Sequence, residues 1–235
     1  MQKIEKYRIL DGTALKIIAM ISMVLDHVGA VFFPGARWMR YAGRIAMPVF
    51  AFCVAEGYAH TRDRRKYIIR MGVFALFSEI PFDLLFFGRP GFEHQNILVT
   101  FFLALIALEL FERLRGTMNE ETGRYGTVRT ILGNTAVIAV AALALVLRTD
   151  YSMFGVIAVF LFYLSRDMHP LVHSGSGTAF LALTRTMGSY RATGLSFLPL
   201  ALYNGKRGKG LKWLFYLFYP GHALLLYMIR RMLQG

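Results

Sequence analysis

The sequence predicts an all-α protein, a polytopic transmembrane helical bundle of about 8-10 membrane segments that forms a single integral-membrane domain over residues 1–235. Hydrophobic residues make up 56% of the chain and charged residues only 17%, whereas soluble domains carry about a quarter charged residues. Apolar runs recur along the whole chain, and roughly 20 helical residues cross the hydrocarbon of a bilayer. Lysine and arginine fall in short blocks between these runs, as the positive-inside rule expects.

The predicted spans follow one another with short polar breaks. The first should remain as a helix, because the polar stretch before it and the lack of a small-residue cleavage site do not resemble a signal peptide. Only the pair before the last span is too short to cross comfortably, so it either crosses twice or forms a re-entrant hairpin. The predicted spans are 13–33, 41–58, 71–87, 97–111, 130–147, 151–164, the short pair 178–187 and 192–203, and 213–229.

The basic blocks predict the orientation of the bundle. Blocks at 62–66, 113–129 and 204–212 should all face the cytoplasm, which requires an internal N-terminus and an even number of crossings by the short pair. The basic residues near the C-terminus would then face outward, against the rule. A net charge of +13 would also suit a nucleic-acid partner. Because the basic residues fall in short blocks between the predicted spans, we interpret the charge as a determinant of membrane topology, and no nucleic-acid partner is expected.

Ionisable residues inside the spans predict a site. A charge at the centre of a span costs about 2.5–3.5 kcal/mol on insertion scales, so Asp26 and His27 need partners or a water-filled cavity. Adjacent helical residues point about 100° apart, so His27 must take its partner from another helix, while Asp26 is expected to contact Arg44 or Tyr41. The alternative is an interhelical polar network without chemistry. The candidate catalytic residues are Asp26, His27, Arg44, Glu79, Asp83 and His222.

Direct transfer is the chemistry that these residues allow. The sequence has no Gly-x-Ser-x-Gly elbow, and Cys53 is not near a predicted histidine, so a covalent acyl-enzyme is not supported. The sequence has no HExxH motif and no clustered set of histidine and aspartate ligands, so no metal site is predicted. His27 would act as the general base for an attacking amine or hydroxyl, and His222 is the alternative base.

Basic residues at the cytoplasmic side predict a site for a phosphorylated donor. The alternative is that they only fix topology and contact anionic lipid. Glycines in the run GKRGKG favour binding, because they let backbone amides approach phosphate. The candidate donor-binding residues are Arg62, Arg65, Lys66, Arg70, Lys206, Arg207 and Lys209, and the further motif residues are Glu56, His60, Asn204 and Tyr219.

Four motifs in order resemble the TraX family of membrane proteins, which is named for an acetylase of conjugative pilin. They are LKIIAMISMVLDHVGAVFFP, GRIAMPVFAFCVAEGYAHTRDRRKYIIRM, NGKRG and FYLFYPGHALLL, and the likeness runs from about residue 10 to residue 227. The resemblance implies a multi-pass protein of the bacterial cytoplasmic membrane that transfers acetyl groups from acetyl-CoA. By that likeness the Asp-His pair is Asp26 and His27, and the Gly-Arg-Ile-Ala (GRIA) motif contains Arg44. The Glu-Gly-Tyr motif begins at Glu56, and the closing Tyr-Pro-x-His is Tyr219, Pro220 and His222.

The expected partners are membrane lipid, acetyl-CoA as donor substrate and a peptide or glycan acceptor. The acceptor group would be the amine of a peptide N-terminus, or an amine or hydroxyl of a sugar or lipid head group. Two other functions remain open at this point. One is a proton-coupled carrier that uses Asp26, Glu56, Glu79 and Asp83 as a relay. The other is a structural component of a pilus or secretion apparatus.

Overall fold

A computed structural model describes residues 7–117, 125–184, 188–210 and 212–234, and over these ranges the regular structure is helical. Two isolated β-bridges, Leu10 with Tyr203 and Gln95 with Thr149, tie loops together. The helices in these ranges are α1 (Gly12–Val31), α2 (Arg37–Gly43), α3 (Ala46–His60), α4 (Arg64–Phe87), α5 (Ile97–Arg115), α6 (Thr127–Val146), α7 (Ser152–Leu164), α8 (Pro170–Thr184), a 3-10 helix (Gly188–Ser196), α9 (Phe197–Ala201) and α10 (Lys212–Gln234).

The long helices alternate in direction, so the bundle has two polar ends. We call the end with residues 7–11, 60–66, 113–117 and 203–210 the basic end. Tyr58 donates to Glu109 there at 2.9 Å, and Tyr203 donates to Glu56 at 3.2 Å. The end with residues 32–45, 88–96 and 147–151 is the distal end. The three predicted basic blocks therefore share one end, although residues 118–124 lie outside the described part of the chain.

The second predicted span is not one helix. The structure divides it at Arg44 and Ile45, between α2 and α3. Pro48 lies in the first turn of α3, where its missing N–H needs no partner, and its ring disfavours a continuous helix through the carbonyl four residues earlier. The prediction of a single helix over 41–58 was therefore wrong, and Arg44 lies at the break.

The third span begins earlier than the apolar pattern predicted. Asp63 caps α4 by accepting from the backbone N–H of Lys66 at 2.9 Å, so the basic block continues into the first turns of a helix. The last helix, α10, is not interrupted by Pro220 and continues to Gln234.

The short pair runs from the basic end to the distal end and back. Its outward half is α8, and its return half is the 3-10 helix followed by α9, which packs on α8 through a hydrogen bond from Ser174 to the carbonyl of Leu200 at 2.9 Å. A 3-10 helix rises about 2 Å per residue, so the fourteen residues of the return half reach about 25 Å. Met187, the predicted end of the outward half, lies outside the described residues.

Apolar side chains fill the interior and also cover much of the outer surface. The core joins α3, α5 and α7 around Phe52, Leu105 and Phe162, each at most 1% exposed. Leu76 and Phe77 of α4 are 74% and 70% exposed. Within the described residues, two helices are both long and apolar enough to cross a membrane, Gly12–Val31 and Thr127–Val146.

Candidate functional site

A pair of hydrogen-bonded histidines lies between α1 and α10. His27 Nδ1 is 2.8 Å from His222 Nε2, and the two rings stack with centroids 4.9 Å apart. Phe86 packs its edge against His27, and Phe218 stacks on His222 at 4.7 Å. The sequence predicted that His27 takes its partner from another helix, and the structure identifies that partner as the alternative base.

The contacts of His222 fix the arrangement of protons in the neutral pair. His222 Nδ1 lies 2.8 Å from the carbonyl of Phe218, which can only accept, so this nitrogen carries a hydrogen. In a neutral ring His222 Nε2 is then an acceptor for His27 Nδ1–H. The second nitrogen of His27, Nε2, is left with a free lone pair, and a proton taken there is stabilised by the hydrogen bond to His222.

Asp26 points to a different neighbour from His27. Arg40 of α2 places Nη1 3.1 Å from Asp26 Oδ1 and donates to the Asp26 carbonyl at 3.0 Å. Sequence reasoning expected Arg44 or Tyr41 and did not name Arg40; Arg44 lines the same cavity as Asp26. The signal was present, because Arg40 lies one helical turn before Arg44 and therefore on the same face of a helix.

Gly43 lets α2 approach α1 at this point. A Cβ atom on residue 43 would lie 2.3 Å from the Asp26 Cβ and 2.7 Å from its Cα, which no real side chain tolerates. Glycine is therefore required for the close contact between the GRIA motif and the Asp-His pair.

Arg44 lies on the wall of a cavity of about 50 Å³ at the distal end. Its Nη1 donates to the hydroxyl of Tyr151 at 3.3 Å, and Arg44 itself is only 7% exposed. Asp26, His27 and Tyr219 line the same cavity. A buried guanidinium and an imidazole that line one cavity are the types of group that can stabilise a developing oxyanion and remove a proton.

Glu79 and Asp83 lie apart from this cavity and hold the loop 88–96. Glu79 accepts from the backbone N–H of Asn96 at 3.1 Å, and Asn96 caps α5 by accepting from Leu98 N–H at 2.8 Å. Asp83 accepts from Gly91 N–H at 2.8 Å and is 2% exposed. The structure gives both carboxylates a positioning contact with backbone.

The Glu56 motif lies at the basic end, beside a larger cavity of about 430 Å³. Tyr203 donates to Glu56 Oε2, His60 Nδ1 is 3.9 Å from that oxygen, and His173 Nε2 is 4.0 Å from Oε1. His173 was not predicted from the sequence, because it lies outside every predicted span.

The candidate donor residues occupy the same end but differ in surroundings. Loop 204–210 uses its backbone on α1: the carbonyl of Lys206 accepts from Gly12 N–H at 2.8 Å, and that of Lys209 accepts from the Thr13 hydroxyl at 2.9 Å. Asn204 accepts from Lys206 N–H at 2.9 Å. The exposed candidate side chains are Arg62, Arg65, Lys66, Lys206, Arg207 and Lys209, and Arg70 is half-buried.

The chain is similar to proteins of known name. The family profile described as TraX protein matches residues 11–230. A probable fimbrial assembly protein FimC, serogroup H1, of Dichelobacter nodosus is 28% identical over 253 residues, which cover 94% of this chain and 96% of that protein. Protein TraX of Escherichia coli strain K12 is 35% identical over 103 residues, 43% of this chain and 40% of that protein. No solved structure gives a significant match.

Proposed function

Because the chain belongs to the TraX family, we propose that it is an integral-membrane acetyltransferase with a pilus-related role. It moves an acetyl group from cytoplasmic acetyl-CoA to an acceptor amine or hydroxyl, with His27 as the general base. The relative named for fimbrial assembly, which aligns over nearly its whole length, supports a pilus component as the acceptor. The acceptor classes are a peptide N-terminus, a sugar and a lipid head group.

The surface of the bundle supports a multi-pass placement. Soluble monomers rarely expose an apolar patch of more than a few hundred Å². Here α4 exposes Leu76, Phe77 and Ile80, and α10 exposes Met232 and Leu233, each by more than half. These helices expose apolar side chains of the kind that contact lipid, even though the basic residues in their first turns lower their mean hydropathy.

The hydrogen bond between His27 and His222 is the observation that carries the proposed chemistry. The acceptor nitrogen or oxygen attacks the thioester carbonyl carbon and gives its proton to His27 Nε2. The carbon–sulfur bond breaks, and the coenzyme leaves as a thiol after taking up that proton. Arg44 is the cation of the distal cavity that can stabilise the oxyanion formed during attack.

The separate engagement of the carboxylates supports transfer over a proton relay. Asp26 pairs with Arg40, Glu79 and Asp83 accept from backbone amides, and Glu56 lies at the opposite end of the bundle. A relay would need these groups in a connected path.

The test measures thiol release from acetyl-CoA by the purified protein in detergent. The acceptors are a peptide with a free N-terminus, the same peptide with a blocked N-terminus, and glucosamine. His27→Ala should lower the rate by about 10²- to 10⁴-fold, the usual contribution of a general base. His94→Ala is the matched control, because this histidine is exposed in the loop 88–96. Equal rates for His27→Ala and wild type would exclude the general-base role.

A further inference from the structure

The cavity at the basic end is a second polar site, on the other side of α3 from the histidine pair. Ala46, Met47 and Phe50 line the distal cavity, whereas Phe52 and Glu56 line the basic-end cavity. At 100° per residue these two sets lie on opposite faces of the helix. The volume of about 430 Å³ falls within the usual range for small-molecule sites.

One residue that lines this cavity has a buried polar atom without a hydrogen bond. His173 is 9% exposed, and its Nε2 is buried and makes no hydrogen bond within the described part of the chain. The nearest charged atom, Glu56 Oε1, is 4.0 Å away, too far for a hydrogen bond. Since Tyr203 already donates to the other Glu56 oxygen, Glu56 Oε1 is the carboxylate oxygen that a ligand hydroxyl or amide N–H could donate to, with His173 Nε2 as its neighbour.

Two arginines, Arg8 and Arg166, also line this cavity. Arg8 is held by a 2.6 Å hydrogen bond from Nε to the carbonyl of Tyr203. Arg166 lies over the ring of Tyr163 at 4.1 Å and donates to the Tyr163 carbonyl at 2.9 Å. Among the described residues its ionic contact is with Asp167, 3.4 Å away, whose side chain is 82% exposed. Arginines whose side chains are fixed by hydrogen bonds to backbone carbonyls can bind phosphate through several parallel hydrogen bonds.

We propose that the basic-end cavity binds the phosphate-bearing, hydroxyl-rich nucleotide end of the acyl donor, with Arg8 and Arg166 on phosphate and His173 and Glu56 on a ligand hydroxyl or amide. This inference rests on the proposed acetyltransferase function and places the nucleotide end of the donor in a different set of residues from the exposed basic loop. It requires the thioester arm of the donor to pass around α3 from this cavity to the histidine pair. The same chemistry could come from a free phosphorylated metabolite, so the ligands tested must separate the two sources.

The experiment titrates the purified full chain in detergent with acetyl-CoA, adenosine 3′,5′-bisphosphate and inorganic phosphate by calorimetry. Arg8→Gln and Arg166→Gln should each weaken acetyl-CoA binding at least tenfold. Met168→Trp adds bulk at the exposed rim of the cavity and should weaken binding similarly without touching the core. Arg113→Gln is the matched control, because this exposed arginine at the same end pairs only with Glu109 on its own helix among the described residues.

The outcomes are distinct. Loss of acetyl-CoA and bisphosphate binding in the cavity variants, with Arg113→Gln within twofold of wild type, supports the inference. Binding that is unchanged in the folded cavity variants but lost when Lys206, Arg207 and Lys209 become glutamine overturns it and leaves the acetyltransferase proposal intact. Tight binding of inorganic phosphate alone, with weak acetyl-CoA binding, overturns the donor assignment. No acetyl-CoA binding and no thiol release by wild type overturns both proposals.

Discussion

Gly43→Ala tests the contact that brings the GRIA motif to the Asp-His pair. The added Cβ would lie 2.3 Å from the Asp26 Cβ, and carbon atoms pack at about 3.5–4.0 Å, so α1 and α2 must separate locally by about 1.2–1.7 Å. Overpacking of this kind costs about 1–3 kcal/mol. The helical preference of alanine returns about 0.5–1 kcal/mol. The free energy of unfolding should therefore fall by up to about 2.5 kcal/mol, and the 3.1 Å contact between Arg40 and Asp26 should open.

Denaturant titration in detergent measures this change, with the fluorescence of Trp38 and Trp213 as the signal. Gly221→Ala is the matched control, because a Cβ there would have no heavy atom of the described residues within 4 Å and the residue lies within α10. It should raise the unfolding free energy by about 0.5–1 kcal/mol. If Gly43→Ala raised stability as much as Gly221→Ala, the close packing of α2 on α1 would be refuted. Thiol release should fall in Gly43→Ala only.

Two further predictions concern α10. His222→Phe keeps an aromatic ring against Phe218 but removes the hydrogen-bond acceptor for His27. The rate of thiol release should fall roughly 10- to 100-fold, with little change in the free energy of unfolding, and both quantities are measured on the same protein. A wild-type rate in this variant would contradict the proton arrangement. Arg230→Gln removes the 2.9 Å hydrogen bond to the carbonyl of Leu85 at the end of α4 and should cost about 1–3 kcal/mol in denaturant titration. Arg231→Gln on the exposed side should change stability by less than about 0.5 kcal/mol, and equal effects would argue against the contact.

The first residue of a helix was predicted to within a few residues where a capping side chain precedes it. Asp11 caps α1 and Asn96 caps α5 at the points where apolar runs begin, so the starts of both helices can be read from the sequence. The break between α2 and α3 could not, because it depends on Pro48 together with the packing of Gly43 on another helix. Tertiary contact decided that boundary.

Helix α8 was predicted to begin eight residues too late because its first two turns are polar. Ser174 donates to the carbonyl of Leu200, and Thr178 contacts the hydroxyl of Ser196 at 3.3 Å, so these hydroxyls face the returning 3-10 segment and α9. A hydropathy pattern counts such residues against a span, although their polar atoms are satisfied within the bundle. His173 was missed for the same reason.

Depth along a predicted span, on which the candidate site was based, could not predict which residues pair with one another. His27 and His222 are separated by 195 positions, and the sequence offered each as an alternative base. The structure joins them into one hydrogen-bonded pair. Glu79 and Asp83 were predicted at a similar depth, yet they bind the loop 88–96, because depth alone does not say toward which neighbour a side chain points.

The adjacent acid and imidazole on α1 serve two different interfaces. Asp26 faces α2 and balances Arg40, which makes it part of the packing of the GRIA motif. His27, about 100° further around the helix, faces α10 and His222. A neutral histidine pair whose Nδ1 hydrogen is bound by the Phe218 carbonyl has less desolvation cost than an unpaired charge buried at the same place. The polar dipeptide is therefore compatible with an apolar helix: one residue positions the neighbouring helix, and the other is paired with a second histidine.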